Sequence, residues 1–264
     1  MDVTEVQQAL FDLGFDPNGI DGIWGPGSQR ACMEYQRSVG LPADGIPGPQ
    51  TQEALQRSLE GESDGKSVIP PKPMPLVMQR AESLGYKVWG DPYRLWLFGI
   101  RAANRTSDLF DDVLGACWTE GDGYWRCEYW PGTTDPGTYW LENPGREQGT
   151  AILVEGQYID CWKIGYHRGE YEALKQCGPV KVYRDANRDA NLDLDPNKVY
   201  EGLYGINIHA ATRKSGGKST SVHKWSAGCQ VHATEAGFSR MMELANIQAD
   251  KGDILFSYTL LDEW

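Results

Sequence analysis

A short turn motif occurs twice near the start of the chain and divides its first residues into three helical segments. The two copies read Asp21-Gly-Ile-Trp-Gly25 and Asp44-Gly-Ile-Pro-Gly48, and apolar residues recur at helical spacing before, between and after them. Asp-Gly pairs favour tight turns, because glycine adopts backbone conformations that other residues avoid. The repeat therefore predicts a small three-helix domain over residues 1–57, with a capping box at Thr4 and Gln7 opening the first helix.

The same segment resembles the three-helix peptidoglycan-binding domain that many bacterial and phage cell-wall enzymes carry. The resemblance depends on the two turns, together with Gly14-Phe15, Tyr35-Gln36 and Gly40-Leu41. It implies that residues 1–57 bind bacterial peptidoglycan. The alternative is a helical bundle in which the Asp-Gly turns only connect helices.

A change of composition marks a domain boundary. Residues 58–75 are charged and glycine-rich and then proline-rich, which is typical of a solvated tether with a stiff end. Residues 76–264 contain short β-prone runs separated by turn residues, such as 124–130 and a return strand at 138–141. We therefore expect an α+β chain, with a small helical domain followed by a larger mixed, β-rich domain.

The composition excludes some classes of partner. The formal charge of −12 argues against nucleic acid, whose binding depends on cationic contacts, and no apolar run is long enough for membrane insertion. The N-terminal sequence lacks the pattern of a signal peptide, so we expect synthesis in a host cytoplasm and action on the wall after release. We expect a monomer in which most of the six cysteines are buried and reduced.

The stretch from Tyr204 to His232 has the strongest chemical signal. It contains three of the four histidines, and Cys229 directly follows Gly228. A thiol near a histidine can become a thiolate nucleophile at neutral pH, and a glycine lets the backbone direct N–H groups toward an oxyanion. We therefore predict a cysteine nucleophile at Cys229 that is ionised by His209.

Two motifs of the larger domain resemble those of the L,D-transpeptidase family of cell-wall enzymes. The first is Thr134-Asp-Pro-Gly-Thr-Tyr139, and the second combines Ile208-His209-Ala-Ala with Ser226-Ala-Gly-Cys229. Three positions depart from the family pattern: Ala227 replaces a histidine, and Gln230-Val231 replaces an apolar residue and an arginine. The resemblance thus implies a retained cysteine nucleophile and altered contacts to the substrate, which favours hydrolysis over transpeptidation.

The resemblance also implies a role for each motif residue. Cys229 would attack a peptide carbonyl, and His209 would accept the thiol proton and later protonate the leaving amine. The carbonyl oxygen of Ala210 would orient the imidazole. The N–H groups of Gly228 and Cys229 would stabilise the tetrahedral oxyanion.

Four further residues are candidates for substrate binding. His223 is a candidate to replace the histidine missing at Ala227, and Trp225 is a candidate wall of the pocket. Ser226 belongs to the cysteine motif, and His167 follows a predicted strand. For each of them a structural role is the alternative.

An acidic stretch has oxygen-bearing side chains at alternate positions, as in the first part of an EF-hand calcium loop. Its candidate ligands are Asp185, Asn187, Asp189, Asn191 and Asp193. Ala190 stands where that loop has its turn glycine, and Pro196 where it has its bidentate glutamate. A structural calcium ion is therefore a hypothesis here, beside a solvated acidic loop.

These features favour a peptidoglycan hydrolase of the endolysin type, from a bacteriophage, that cleaves an amide of the stem peptide or cross-bridge and requires no cofactor. One alternative is a zinc-dependent D-Ala-type carboxypeptidase or endopeptidase with His209, His223 and His232 as ligands. Its Ser-x-His motif fits Ser221-Val-His223, but the positions downstream do not match. The other alternative is a non-catalytic wall-binding protein, which Ala227 favours.

Overall fold

The structure, a computed structural model, describes residues 1–59, 74–122 and 124–264. Contacts divide these residues into two compact units: residues 1–59 with Gln248–Ile254, and residues 74–247 with Leu255–Trp264. Most of the tether predicted at 58–75 lies outside the described residues, so the domain boundaries stay predictions. Within the described ranges, no helix combines the length and the apolarity needed to cross a membrane.

The first unit contains three helices, as the repeat predicts. They are α1 (Val3–Asp12), α2 (Pro26–Ser38) and α3 (Pro49–Leu59). Apolar side chains from all three, including Leu10, Tyr35 and Leu55, meet in one buried core. Phe15 packs edge-to-face on Tyr35 at its margin, with 5.6 Å between ring centroids.

The first helix begins earlier than the sequence pattern indicates. Asp2 caps it, because its carboxylate accepts the Glu5 N–H at 2.9 Å and the Glu5 carboxylate accepts the Asp2 N–H at 2.7 Å. The capping box expected at Thr4 and Gln7 was therefore wrong. The side chain of Gln7 is buried and bonds to a turn far along the chain instead.

A buried glutamine holds each copy of the repeated turn. Nε2 of Gln7 donates to Asp21 Oδ1 at 3.0 Å and to Ser28 Oγ at 2.9 Å. Oε1 of Gln7 accepts the Gly22 N–H at 2.8 Å. Since every polar atom of this amide is satisfied inside the domain, Asp21 acts as part of the turn.

The second copy repeats the arrangement around Gln36. Nε2 of Gln36 donates to Asp44 Oδ1 at 2.8 Å and to Thr51 Oγ1 at 3.0 Å, while its Oε1 accepts the Gly45 N–H at 2.9 Å. The indole N–H of Trp24 donates to the carbonyl oxygen of Gly45 at 3.2 Å and joins the two turns. The repeat in the sequence is thus a repeat of a buried hydrogen-bond network.

The second unit is β-rich, as expected. Its helices are α4 (Leu76–Ser83), α5 (Thr138–Glu142) and α6 (Glu235–Asp250), of which residues 248–250 are assigned to the first unit. Its strands are β1 (Trp96–Arg101), β2 (Asp112–Thr119), β3 (Trp125–Thr133), β4 (Thr150–Leu153), β5 (Gly156–His167), β6 (Tyr171–Gln176), β7 (Val180–Asp185), β8 (Val199–Gly202), β9 (Ile208–Ala210), β10 (Gln230–His232) and β11 (Leu255–Asp262).

Within the described residues, eight of these strands close a barrel in the order β1-β11-β5-β6-β9-β10-β3-β2, and β4-β7-β8 form a separate sheet. The pairs β1–β11 and β9–β10 are parallel, and the other neighbours are antiparallel. Apolar side chains from the barrel, such as Trp162, form one core with Phe238 and Met241 of α6. The α+β class is confirmed.

The segment after β3 differs from the prediction. The return strand expected at 138–141 was wrong, because these residues form the short helix α5. Gly137 precedes it and donates its N–H to the carbonyl oxygen of Ser226 at 3.0 Å. A Cβ on Gly137 would lie 2.1 Å from the carbonyl oxygen of His223. The segment therefore leaves β3 and packs against residues 223–229, the loop that carries Cys229 and that we call the cysteine loop. A local pattern of strand residues does not reveal this long-range contact.

A disulfide joins Cys117 and Cys127, contrary to the expectation of mostly reduced cysteines. The two residues are direct partners in the antiparallel β2–β3 ladder. Because β2 was not predicted from the sequence, this pairing was not foreseen. The free cysteines are Cys32 and Cys161, which are buried, and Cys177 and Cys229, which are partly exposed.

Arg101, at the end of β1, is fully buried among acidic groups. Its guanidinium pairs with Glu155 and, at 2.8 Å, with Asp135, and it donates to Thr134 Oγ1 at 3.0 Å. The Thr134 N–H and hydroxyl donate to Asp112 at 2.6 and 2.8 Å. This network fixes the segment between β3 and α5, against which the cysteine loop packs.

Candidate active site

The barrel places Cys229, directly before β10, beside the segment that leads into β9 and His209. In the parallel β9–β10 ladder, Val231 is the partner of His209. Ile208 and Ala210 point into the barrel core, so His209 between them faces the other side. Cys229 lies directly before β10, two positions before Val231, and its Sγ accepts the N–H of Asn207, which directly precedes β9.

The imidazole of His209 is held in one orientation. It is 2% exposed, and its Nδ1 lies 3.0 Å from the carbonyl oxygen of Ala210, which also accepts the Tyr171 hydroxyl at 3.3 Å. A carbonyl oxygen only accepts, so Nδ1 carries the proton in this bond and Nε2 keeps a free lone pair. His209 is thus prepared to act as a base through Nε2.

A second histidine supports this imidazole. His167 stacks on His209 with 4.2 Å between ring centroids, and its Nδ1 lies 3.3 Å from the amide Nδ2 of Asn207. Burial lowers the pKa of His209 to about 3, and the nearby His167 and Arg168 lower it further. Burial and Arg168 also lower the pKa of His167. Both rings are therefore neutral at pH 7.

The thiol of Cys229 is partly exposed and makes two hydrogen bonds. Sγ accepts the N–H of Asn207 at 3.4 Å and donates to the carbonyl oxygen of Gly205 at 3.4 Å, so neither bond involves His209. Burial raises the pKa of Cys229 to about 11, although the Asn207 N–H and Arg168 lower it in part. These shifts favour a neutral thiol and a neutral imidazole at pH 7, in place of the thiolate expected from the sequence.

The turn before Cys229 requires glycine. Gly228 has φ +114°, and a Cβ there would lie 2.1 Å from the carbonyl oxygen of Ala151. The Gly228 N–H donates to Ser226 Oγ at 3.1 Å, and the Ser226 hydroxyl donates to the Cys229 carbonyl oxygen at 2.8 Å. The Gly228 N–H is thus occupied, contrary to its expected role at an oxyanion, which leaves the Cys229 N–H as the candidate donor. Ser226 is fully buried and braces the turn, so the prediction that it contacts substrate was wrong.

Two cavities border the segment that leads to Cys229. The first, which we call the histidine cavity, has a volume of about 290 Å³ and is lined by His167, Arg168, Glu170, Tyr171, His209, Ala210, Ala211, Thr212, Arg213 and Trp225. The second, the arginine cavity, has a volume of about 320 Å³ and is lined by Trp140, Gly145, Arg146, Gly149, Thr150, Ala151, Arg184, Leu203, Tyr204 and Ala227. Trp225 lines the histidine cavity and Ala227 the arginine cavity, so both cavities border the segment just before Cys229, which itself lines neither.

The other predicted substrate residues are divided between the cavity and the surface. His167 and Trp225 both line the histidine cavity, and Trp225 is 46% exposed. His223 lines neither cavity. Its ring packs edge-to-face on Tyr139 with 5.8 Å between centroids, and its backbone N–H donates to Asp108. The expectation that His223 replaces the histidine missing at Ala227 stays a prediction.

The acidic stretch surrounds one buried carboxylate. Asp185 is fully buried, its Oδ2 accepts the Asp193 N–H at 3.0 Å, and its Oδ1 has no hydrogen-bond partner. Asn187, Asp189 and Asn191 are exposed, and the Asn187 amide donates to Asp189 at 3.0 Å. Across the described residues, no three His, Cys, Asp or Glu side chains are gathered as metal ligands. Calcium binding, which would also use asparagine and backbone oxygens, stays a prediction.

The three histidines considered as zinc ligands are not gathered at one point. His209 and His232 are buried, whereas His223 is exposed and held against Tyr139. His232 packs on Trp130 with 5.4 Å between ring centroids, and burial lowers its pKa to about 3. The ligand set that the zinc alternative needs is therefore not formed by these side chains.

Sequence reasoning missed Asn207, Tyr171 and Arg168. Tyr171 and Arg168 belong to no motif, and the β5–β6 hairpin brings them to the site across more than thirty residues of chain. Asn207 gave a weak signal, because it lies two residues before His209 and therefore on the same face of the strand. Its backbone N–H contacts the thiol, and its amide contacts His167.

Comparison with known proteins assigns the first unit. Residues 1–55 match the family model described as "Putative peptidoglycan binding domain". The N-acetylmuramoyl-L-alanine amidase CwlM of Mycobacterium tuberculosis is 48% identical over 54 residues, which are 20% of this chain and 13% of that protein. A spore cortex-lytic enzyme of Bacillus cereus is 37% identical over 57 residues, 22% of each protein. The chain thus covers less than a quarter of the length of these curated relatives.

Solved structures give a weaker likeness over the whole chain. An L,D-transpeptidase from Xylanimonas cellulosilytica is 18% identical, with 98% of this chain and 93% of that chain covered and a TM-score of 0.26. A fused Zn-dependent amidase/peptidase/peptidoglycan-binding protein from Clostridium acetobutylicum is 15% identical, with 98% and 94% covered and a TM-score of 0.29. Scores this low support no argument about the second unit. Residues 1–55 are a domain of the peptidoglycan-binding family.

Proposed function

We propose that this chain is a peptidoglycan peptidase that cleaves an amide bond of the stem peptide or cross-bridge. The peptidoglycan-binding domain holds it on the wall, and Cys229 and His209 carry out the reaction. The observation that carries the proposal is that Cys229, on a turn that requires Gly228, contacts the N–H of Asn207 two residues before the oriented imidazole of His209. Relatives named as amidases and cortex-lytic enzymes support the choice of substrate polymer.

The neutral resting state indicates how the reaction begins. Because the pKa of Cys229 is raised and that of His209 is lowered, transfer of the thiol proton before the attack is unfavourable. The proton therefore moves to Nε2 while Sγ attacks the amide carbon. The Cys229 N–H is placed to donate to the oxyanion that forms. The imidazolium then protonates the amine as the C–N bond breaks, leaving a thioester and neutral His209.

Water completes the cycle in this proposal. Nε2 of His209 accepts a proton from water as it attacks the thioester, and the imidazolium returns that proton to Sγ as the C–S bond breaks. The products are a carboxylic acid and the free thiol. Ala227 and Val231 replace residues of the L,D-transpeptidase pattern that face substrate, which is why we propose water and not a second peptide amine as the acceptor. An endolysin that reaches the wall after release would use the same chemistry.

The test is digestion of purified sacculi with selective inhibitors. We expect iodoacetamide to abolish release of soluble peptides and EDTA to leave it unchanged, with Cys177→Ser as a matched control because Cys177 is also a partly exposed free thiol. Loss of release with EDTA alone would contradict the cysteine mechanism and favour a zinc peptidase. Sacculus binding without release under reducing conditions would favour a non-catalytic wall-binding protein.

A further inference from the structure

The arginine cavity carries concentrated positive charge in an acidic chain. Arg146 and Arg184 line it, and none of its lining residues is Asp or Glu, although the formal charge of the chain is −12. The histidine cavity differs, because there Arg213 pairs with Glu170 at 3.4 Å. The positive charge of the arginine cavity is therefore not neutralised by a carboxylate in its own lining.

Arg184 is held in place by contacts that leave its charge uncompensated. Its Nη1 donates to the carbonyl oxygen of Gly149 at 2.9 Å, and its guanidinium lies 4.8 Å from the ring centroid of Tyr204. A carbonyl and an aromatic face orient a guanidinium but carry no net negative charge. Neither Arg184 nor Arg146 forms an ion pair with a carboxylate of the described residues. Arg184 thus keeps N–H donors for a ligand.

The walls of the cavity favour a small anion on a peptide. Trp140, Leu203 and Tyr204 supply apolar surface beside the two guanidinium groups. A planar carboxylate matches the donors of a guanidinium in a bidentate arrangement, which a neutral amide does not reproduce. Ala227 lines the same cavity two residues before Cys229, so the cavity borders the segment that leads to the thiol.

We propose that the arginine cavity binds a free carboxylate of the wall peptide whose amide is presented to Cys229. This inference rests on the proposed function, because it names the group by which the peptide is recognised. Arg184 is the fixed donor, and Arg146, which is exposed and lines the same cavity, is the second donor.

The experiment compares native sacculi with sacculi whose carboxylates have been converted to amides by carbodiimide and ammonia. The wild-type protein is expected to release peptides from native sacculi with a kcat/KM about ten- to a hundredfold higher than from amidated sacculi. This factor corresponds to the loss of one charge-assisted pair. Arg146→Gln and Arg184→Gln are expected to lose a similar factor on native sacculi, mainly through KM, and to discriminate little between the substrates. Arg105→Gln is the control, because that exposed arginine lies outside both cavities.

The possible results separate this inference from the proposed function. The carboxylate site would be overturned if the wild type released peptides at equal rates from native and amidated sacculi. It would also be overturned if both arginine variants lost the same factor in rate on both substrates. Neither result would affect Cys229-dependent cleavage. If no cleavage occurs, binding of soluble muropeptides is measured by calorimetry. The absence of cleavage would contradict the peptidase assignment. Tighter binding of the free acid than of the amide by the wild type, lost in Arg146→Gln, would still support the carboxylate site. Equal binding of the acid and the amide would overturn that site as well.

Discussion

The reactivity of Cys229 toward an alkylating reagent should rise steeply with pH. Only the thiolate reacts, and the pKa of Cys229 is raised to about 11 from an ordinary value of 9.0. The thiolate fraction at pH 7 is then about 10⁻⁴, against about 10⁻² for an ordinary thiol, so the reaction is about a hundredfold slower. The rate should increase about tenfold per pH unit between pH 6 and 10, because the neutral thiol is favoured at every pH below its pKa.

The assay is a time course with iodoacetamide at each pH, followed by mass spectrometry that quantifies the labelled peptide containing Cys229. Cys177 provides an internal comparison, because it is a partly exposed free thiol whose pKa is also raised by burial. His209→Ala should leave the profile nearly unchanged, since the resting thiol does not depend on that imidazole. A rate that is constant between pH 5 and 8 and collapses in His209→Ala would refute the neutral pair and restore the thiolate–imidazolium pair expected from the sequence.

Four further predictions test the structure around the site. Arg101→Met should lower the free energy of unfolding by about 3–5 kcal/mol in urea titrations, because it leaves buried carboxylates unpaired, whereas Arg105→Met at an exposed pair should change it by less than about 1 kcal/mol. Gly228→Ala should abolish peptide release while the circular dichroism spectrum stays native, since its positive φ and a backbone contact exclude a Cβ; retained activity would contradict the required turn. Calcium in excess over EGTA should raise the Tm of the wild type and not that of Asp185→Asn, and equal midpoints in the wild type would dismiss a structural ion. Gln36→Ala should weaken sacculus binding by unfolding the second turn, and unchanged binding and Tm would show that the buried network is not needed.

The helical domain was predictable because its information is local. The turn repeat fixed the number of helices, and the matching positions proved to share one hydrogen-bond pattern around Gln7 and Gln36. What the sequence did not show was the partner of each glutamine, because the bonds span 14 and 8 residues and depend on the packed core. The capping box was misplaced for the same reason, since Gln7 matches the local pattern and is used elsewhere.

The larger domain was predictable only in class. Strands β1 and β2 were missed because their residues are buried on both faces and show no polar alternation, as in Trp96–Arg101. The pairing of Cys117 with Cys127 depends on that missing strand. At the site, Cys229 and His209 could be identified from their motifs. Arg146 and Arg184 could not, because they line one cavity only once β4 and β7 have paired.

The central claim is that Cys229 is the nucleophile of a wall peptidase. The most direct measurement is mass analysis of the soluble muropeptides released from purified sacculi by the wild type and by Cys229→Ala, with sacculus binding measured in parallel. We predict that the wild type releases fragments with new peptide termini, and that Cys229→Ala releases none while binding sacculi equally well. The same fragments from Cys229→Ala at the wild-type rate would contradict the claim.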